Sequence, residues 1–438
     1  MNISPVILHL PDSFLPQNVG GKEVFVYMLS MSLNKLGLEN HVAIHSTNLV
    51  HSSDYVYDTI PVKVLQPLFK SYLNIWNSSI EDIADFENYL LNLNPDVVHF
   101  HDQSSGASLT HLRIIKKHDI PTVLTYHSPG QSCPQRSLLF EGKYPCNGKL
   151  DEYRCSYCLL RFKGSPKTFA KLIARNKIKE LDYNKYKINR IFAIRNLVKT
   201  YIDSFKEIYT LHNYIQVHAI WCKKVLMLNG VPENKIFFTP QGINHNNDTN
   251  KNREKKEEDT DKLKIVFVGR CDYVKGVHIL IDAVKMLPKD SPLEVHFLGP
   301  YWNTTEYGKE QLKKIINDKR FKSPLLVPPN EVNNYLKEMD VCVIPSIWPE
   351  TGPLILLQAF CVELPVIGTN YAGISEYVVN GQNGFLFENG NKNQLAEIIN
   401  MLLNNKTILK RIRMNIALPR SIDEMAIDIF ENLYNKII

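Results

Sequence analysis

Apolar residues fall along this chain in short runs, and between those runs they recur every three to four positions. Val6 to Leu10 and residues 41–45 read as strands with a helix over 23–36 between them, a strand–helix–strand unit. Val97 to His101, entered through Asn94-Pro95-Asp96, and Thr122 to Tyr126, entered through Pro121, repeat the strand signal. The first half is therefore predicted to be a parallel, doubly wound α/β sheet. Residues 245–262 lose all periodicity in Asn, Lys, Glu and Asp, as an exposed loop at a domain boundary does. A second array follows, with strands over 265–269, 294–299, 341–345 and 365–368 and helices over 277–287, 332–338 and Leu354–Cys361. In such sheets ligands bind beyond the carboxyl ends of the strands.

At 438 residues the chain suits two domains, and 44% hydrophobic with 22% charged residues is the balance of a soluble globular protein. Neither a leader peptide nor a run of about 18 apolar residues is evident, which places the protein in the cytoplasm. The net charge of +6 is unevenly spread. Residues 161–200, which read as long helix, hold twelve Lys or Arg against Glu180 and Asp182. Such a run is either a solvated helix face or a contact for an anionic membrane surface or acidic acceptor, so peripheral membrane association stays open. It lacks the interleaved aromatics of a nucleic-acid-binding segment, and no nucleic-acid partner is expected.

Four of the eight cysteines, Cys133, Cys146, Cys155 and Cys158, crowd into a segment rich in Pro and Gly. Cys155-x-x-Cys158 can grip one side of a tetrahedral zinc ion and Cys133 with Cys146 the other, a structural site replacing a missing core. Four reduced thiols or a redox-sensitive disulfide are the alternatives. Cys222, Cys271, Cys342 and Cys361 fall inside helix or strand patterns and read as small apolar residues. The histidines lack the paired spacing of a catalytic metal site, and His99 and His101 share a strand face, which suits a structural role.

Chemistry concentrates at the strand ends of the second array. Gly269-Arg270 and Lys275-Gly276 span a strand-to-helix connection, offering a planar fork of donors and a mobile ammonium to a diphosphate whose charge grows as it leaves. Ser346 to Pro353 ends another strand. There Pro353 suits the first turn of a helix, with Thr351 or Gly352 at its cap, and the N–H groups around Gly352, Pro353 and Leu354 attract phosphate. Glu350 is placed to accept hydrogen bonds from sugar hydroxyls. Gly373-Ile374-Ser375-Glu376 adds a loop leading into a helix. As ordinary structural features, these would be surface charges and a capping carboxylate.

Taken in order, these motifs resemble family 4 of the retaining glycosyltransferases, the glycogen-synthase-like group 1 transferases. Gly20-Gly21-Lys22-Glu23 looks like the family's glycine-rich acceptor-side loop. Asp96-Val97-Val98-His99, Thr125-Tyr126-His127, Asn229-Gly230-Val231-Pro232 and Pro240-Gln241-Gly242 continue the likeness toward Arg270, Lys275 and Glu350. The resemblance implies the GT-B architecture, two facing Rossmann-like doubly wound parallel-sheet domains with a cleft between them. Residues 1–245 would form the acceptor side, with the cysteine insertion 128–160 and the basic stretch 161–200. Residues 246–262 would be a linker, 263–417 the donor domain, and 418–438 a helix crossing back to the first domain.

The resemblance further implies transfer of a hexose-type sugar from a nucleotide-diphosphate sugar to a glycan, lipid-linked or protein acceptor. Retention would follow from front-face departure, with no enzyme nucleophile. No Asp-x-Asp pair is placed to hold a divalent ion on the diphosphate, so no catalytic metal is expected. His127 would lie near the donor sugar, and Gly20 and Gly21 would let backbone approach phosphates or acceptor. The family shows two glutamates eight positions apart, whereas here the second is Gln358, at the position that meets the ribose hydroxyls. That departure implies weakened or altered nucleotide recognition. The rival readings are a nucleotide-sugar hydrolase or epimerase, and a non-catalytic nucleotide-sugar or glycan-binding partner subunit of another transferase.

Overall fold

The computed structural model describes residues 4–45, 53–66, 83–104, 106–176, 187–245 and 262–438. Two compact units emerge, one of Met1–Gly242 with Ile422–Ile438 and the other of Ile243–Ser421. In the first, strands β1 (Val6–Leu10), β2 (Glu39–His45), β3 (Tyr55–Tyr57), β4 (Ile60–Leu65), β5 (Val97–His101) and β6 (Thr122–Tyr126) precede a separate small hairpin of β7 (Leu139–Phe140) and β8 (Tyr144–Pro145). Strands β9 (Tyr214–Val217) and β10 (Ile236–Phe238) then complete a sheet ordered β10-β9-β6-β5-β1-β2-β4-β3, parallel save for the β3–β4 pair. The second unit orders β11 (Leu263–Val268), β12 (Leu293–Leu298), β13 (Val341–Ile344), β14 (Val366–Thr369) and β15 (Gly384–Phe387) as β12-β11-β13-β14-β15, all parallel.

Strands β5, β6 and β13 are buried along their whole length, as parallel strands covered on both faces must be. Each fully buried Leu, Ile or Val contributes about 1.5–3 kcal/mol relative to exposure, which makes these strands the anchor of both units. The polar exceptions among the described residues of the first sheet are His9, Asn40, His45, His99, His101, Thr122, Thr125 and Gln216, all buried. Strand order reverses between β1 and β5 and again between β11 and β13. At such a point adjacent connections leave in opposite directions and open a crevice beyond the carboxyl ends.

Residues 161–200 are not one helix. The described part consists of helices Glu152–Phe162, Lys167–Arg175, Lys187–Phe192 and Ile194–Leu211, and residues 177–186, with Glu180 and Asp182, lie outside the described residues. Gly164, at φ 86, ends the first helix in the left-handed conformation, and Pro166 removes a backbone donor just before the second starts. Leu159, Leu160, Ala170, Ile173, Leu197 and Val198 gather into a core of their own, so the apolar sides of these helices are satisfied by each other. The 246–262 loop falls outside the description except for Lys262. Cys271 lies in the loop after β11 rather than in an element, although it is fully buried.

Helix Ile422–Asn432 packs on helix Gly21–Lys35 through Ile422, Met425, Ala426 and Ile429. Asp423 accepts from Ser32 Oγ at 2.6 Å and Lys35 Nζ at 2.9 Å, but that ion pair is half exposed and worth little. One turn beyond, Tyr434 is wholly buried, its hydroxyl 2.5 Å from His99 Nδ1. Among the described residues no helix is long and apolar enough to cross a membrane.

Candidate active site

The crevice of the second unit is built from the loops that leave β11 and β13 at the reversal point. Backbone ties these loops together, with Ile347 N donating to Val274 O at 2.9 Å and Gly373 N to Glu350 O at 3.0 Å. Thr369 Oγ1, on the last residue of β14, and Asn389 Nδ2, beyond β15, donate to the carbonyls of Ser346 and Ile347, both at 2.9 Å. Four strand ends thus converge on one short segment. Gly276 permits the closest approach. It sits at φ 71, and a Cβ there would overlap the Pro345 carbonyl.

Lys275 and Glu350, 75 positions apart, meet in this segment. Lys275 Nζ donates to Glu350 Oε1 at 2.7 Å, Ser346 Oγ donates to the same oxygen at 2.7 Å, and Nζ stands 5.2 Å over the Trp348 ring. Burial pushes the Glu350 carboxyl up, but the Lys275 ammonium and the hydrogen bonds overcome it and hold the group below its ordinary value. Arg270 is the more exposed cation. Its guanidinium lies 3.5 Å from Asp272 Oδ2 and 6.0 Å from the Tyr301 ring centre. Asp272 in turn caps the short helical turn Tyr273–Lys275 by accepting from Val274 N. Helix Leu354–Cys361 is capped not by Thr351 or Gly352 but by Pro353, which takes the cap position without a side-chain bond. Gln358 lies half-buried on that helix.

The sign of the Glu350 shift sets a pH dependence. A carboxyl whose folded value lies below its unfolded value of 4.5 stabilises fully above that pH and loses the contribution as pH falls through the folded value. The melting-temperature gap between wild type and Glu350→Gln should therefore close on acidification below about pH 4.5. A gap that widens in acid would contradict the pairing.

His127, Gly20 and Gly21 belong to the first unit. Gly20 caps helix Gly21–Lys35 with extended backbone, and His127 is the first residue past β6, half-buried. Sequence reasoning missed two acids here. Asp102, just past β5 at φ 70, is buried and accepts from His127 N at 2.8 Å and Gln131 Nε2 at 2.7 Å. Burial raises its pKa against the pull of Lys22 and these donors. Glu23, quoted only as part of a motif, is buried and accepts from Ser13 Oγ at 2.7 Å. The position of Asp102 at a strand end beside the reversal point was the signal that could have found it.

The four clustered cysteines are all reduced and line one pocket with Arg154 and Phe140. Burial pushes the Cys155 thiol up to about 11 and the Cys158 thiol to about 12. Backbone N–H groups of Gln135, Ser137 and Leu138 reach Cys133, and Glu141 N donates to Cys158 Sγ at 3.1 Å. Among the described residues the three potential ligands gathered within 4.8 Å are instead His9, His99 and His101, so the sulfurs are near neighbours without forming a closed coordination shell.

Comparison with known proteins places this geometry. Residues 248–417 match the family model described as Glycosyl transferases group 1, and residues 19–165 match Glycosyltransferase Family 4. The amylovoran biosynthesis glycosyltransferase AmsK of Erwinia amylovora is 25% identical over 242 residues, covering 51% of this chain and 57% of that protein. The capsular polysaccharide biosynthesis glycosyltransferase CapM of Staphylococcus aureus is 27% identical over 247 residues, 52% of this chain and 64% of its own length. These matches thus span under two thirds of either curated relative. Among solved structures, Anabaena HepE in complex with UDP and glucose aligns over 98% of this chain and 100% of its own, with TM-score 0.65 and 16% identity. Sucrose-phosphate synthase from Thermosynechococcus elongatus aligns over 99% of both chains, with TM-score 0.67 and 15% identity. With two parallel-sheet units of GT-B type, each matched in chain order by a transferase family model, the chain belongs to the family-4-like glycosyltransferases.

Proposed function

We propose that the protein transfers a hexose-type sugar, with retention, from a nucleotide-diphosphate sugar to a glycan, lipid-linked or protein acceptor in the making of an envelope polysaccharide. The observation that carries this reading is the pairing of Lys275 with Glu350 at the β11/β13 reversal point, Lys275 standing on the same post-β11 loop as Arg270. Arg270, Lys275 and the N–H groups near Leu354 take the charge of the departing diphosphate, and Glu350 holds sugar hydroxyls. The names of AmsK and CapM, both polysaccharide biosynthesis glycosyltransferases, and the UDP and glucose in HepE support it. Gln358 accepts one ribose hydrogen bond where a carboxylate would accept two. The test is thermal stability against UDP, GDP, ADP and their sugar conjugates. A true ligand at about 100 times its Kd adds about 2.7 kcal/mol. No shift with any nucleotide would overturn donor binding.

Two accompanying features belong to the same reading. Exposed Phe162 and Leu172 flank exposed Lys163, Lys167 and Lys171 along the chain, a composition suited to meeting a lipid-linked acceptor at an anionic membrane. A structural zinc ion would be held by Cys133, Cys146, Cys155 and Cys158, whose softness fits it. The backbone donors at Cys133 and Cys158 are those that support ligating thiolates. Protein purified without chelator is expected to carry one zinc per chain and to lose stability when it is removed. Metal analysis finding none would eliminate the site.

A further inference from the structure

A row of buried polar side chains crosses the first sheet where aliphatic residues are the rule. His9 on β1 pairs in register with His99 on β5, and His101 on β5 pairs with Thr125 on β6. The rings of His99 and His101 stack at 4.3 Å. All six ring nitrogens of His9, His99 and His101 are engaged. His99 contacts Tyr434 Oη at 2.5 Å and Thr125 Oγ1 at 2.6 Å, while His9 meets Asn40 and His101, and His101 meets His9 and His127. A metal ion among these three rings would have to break that set, so the cluster is a hydrogen-bond line and not a metal site.

The direction of this line follows from one amide. Asn40 Nδ2 donates to the Leu38 carbonyl at 3.2 Å and to Asn34 Oδ1 at 2.8 Å, and since a backbone carbonyl only accepts, the amide orientation is fixed. Asn40 Oδ1 therefore accepts from His9 Nε2 at 2.9 Å. A neutral ring carries one N–H, so His9 Nδ1 is an acceptor, and the proton in its 3.0 Å contact with His101 Nε2 belongs to His101. The same step repeats. His101 Nδ1 becomes an acceptor, and the proton in its 3.1 Å contact with His127 belongs to His127 Nε2. Burial, the first cause at each ring, lowers His9 to about 4 and His101 and His127 well below their ordinary value, in keeping with neutral rings.

We infer that Asn40, His9 and His101 are positioning residues that lock His127 in its Nε2–H tautomer, so that Nδ1 is an obligate hydrogen-bond acceptor. A substrate hydroxyl meeting that nitrogen must donate its proton toward the ring, which selects a hydroxyl over an ether or carbonyl oxygen at that position. Only this last use rests on the proposed role of His127 at the sugar. The Phe25 ring packs edge-on against the line, 4.9 Å from His127 and 5.9 Å from His101.

The experiment is long-range 1H–15N correlation spectroscopy of the full chain labelled with 15N-histidine, without substrate. His127 is expected to show a protonated Nε2 and a bare Nδ1 at neutral pH. In Asn40→Leu, which removes the terminal acceptor, and in His101→Phe, which cuts the line, the Nδ1 resonance should move toward the protonated position. A wild-type His127 protonated at Nδ1 would overturn the inference even if neither variant folds, and so would folded variants with an unchanged His127. Because tautomer is read without turnover, failure of the proposed transfer reaction would leave this result standing, and the converse also holds.

Discussion

Arg270→Ala is expected to lower turnover by about 10²–10³-fold while changing KM for the donor far less, because a donor aimed at developing charge acts mainly in the transition state. The side chain is suited to this separation of chemistry from folding. It is 47% exposed, and its 3.5 Å contact to Asp272 is long, so its loss should cost no more than about 1 kcal/mol of stability. Lys275 differs, being already committed to Glu350. Arg270→Lys keeps the charge but not the fork and should recover only part of the rate. Steady-state kinetics beside melting curves decide the matter. Unchanged turnover would remove Arg270 from the diphosphate.

Gly276→Ala should be strongly destabilising and should disturb the site itself. An L-residue in left-handed conformation costs about 1–2 kcal/mol, and overpacking a tight site costs about 1–3 kcal/mol. Together these predict about 2–5 kcal/mol of destabilisation. The clash is with the backbone carbonyl of Pro345, so no rotamer change relieves it. Shifting that carbonyl moves the segment that carries Ser346 and Glu350, and transfer should fall with stability. Gly390→Ala is the control, because Gly390 has φ 81 but open space around its Cβ position. Chemical denaturation showing equal effects at the two sites would refute the close approach.

Much of the frame was legible in the sequence. Strands Val6–Leu10, Val97–His101 and Thr122–Tyr126 and helix Leu354–Cys361 have the bounds read from their punctuation, since Pro5, Pro121 and Pro353 fix where regular structure begins. Strands β3, β7, β8, β9, β10 and β15 were not read, being too short for an apolar run to stand out, and neither was β4, which carries Pro61 at its second position. The long basic helix was misread because apolar periodicity continues on either side of Gly164 and Pro166. In the site, Arg270, Lys275 and Glu350 could be named from strand-end position, but not that Lys275 binds Glu350, which depends on β11 lying beside β13. The histidine line was invisible for the same reason: residues 9, 40, 101 and 127 become neighbours only through sheet order and register.

The return of the last helix to the first unit has a consequence for the order of events during synthesis. Residues 243–421 emerge as an uninterrupted stretch and hold every strand of their own sheet. The unit begun earlier is completed later. Until residues 422–438 leave the ribosome, helix Gly21–Lys35 lacks its covering and His99 lacks the Tyr434 hydroxyl. Domains of a nascent chain fold as they are made, usually the N-terminal one first. Here the covering of the first unit is made only after residues 243–421, so the apolar flank of helix Gly21–Lys35 stays uncovered while the whole second unit is synthesised.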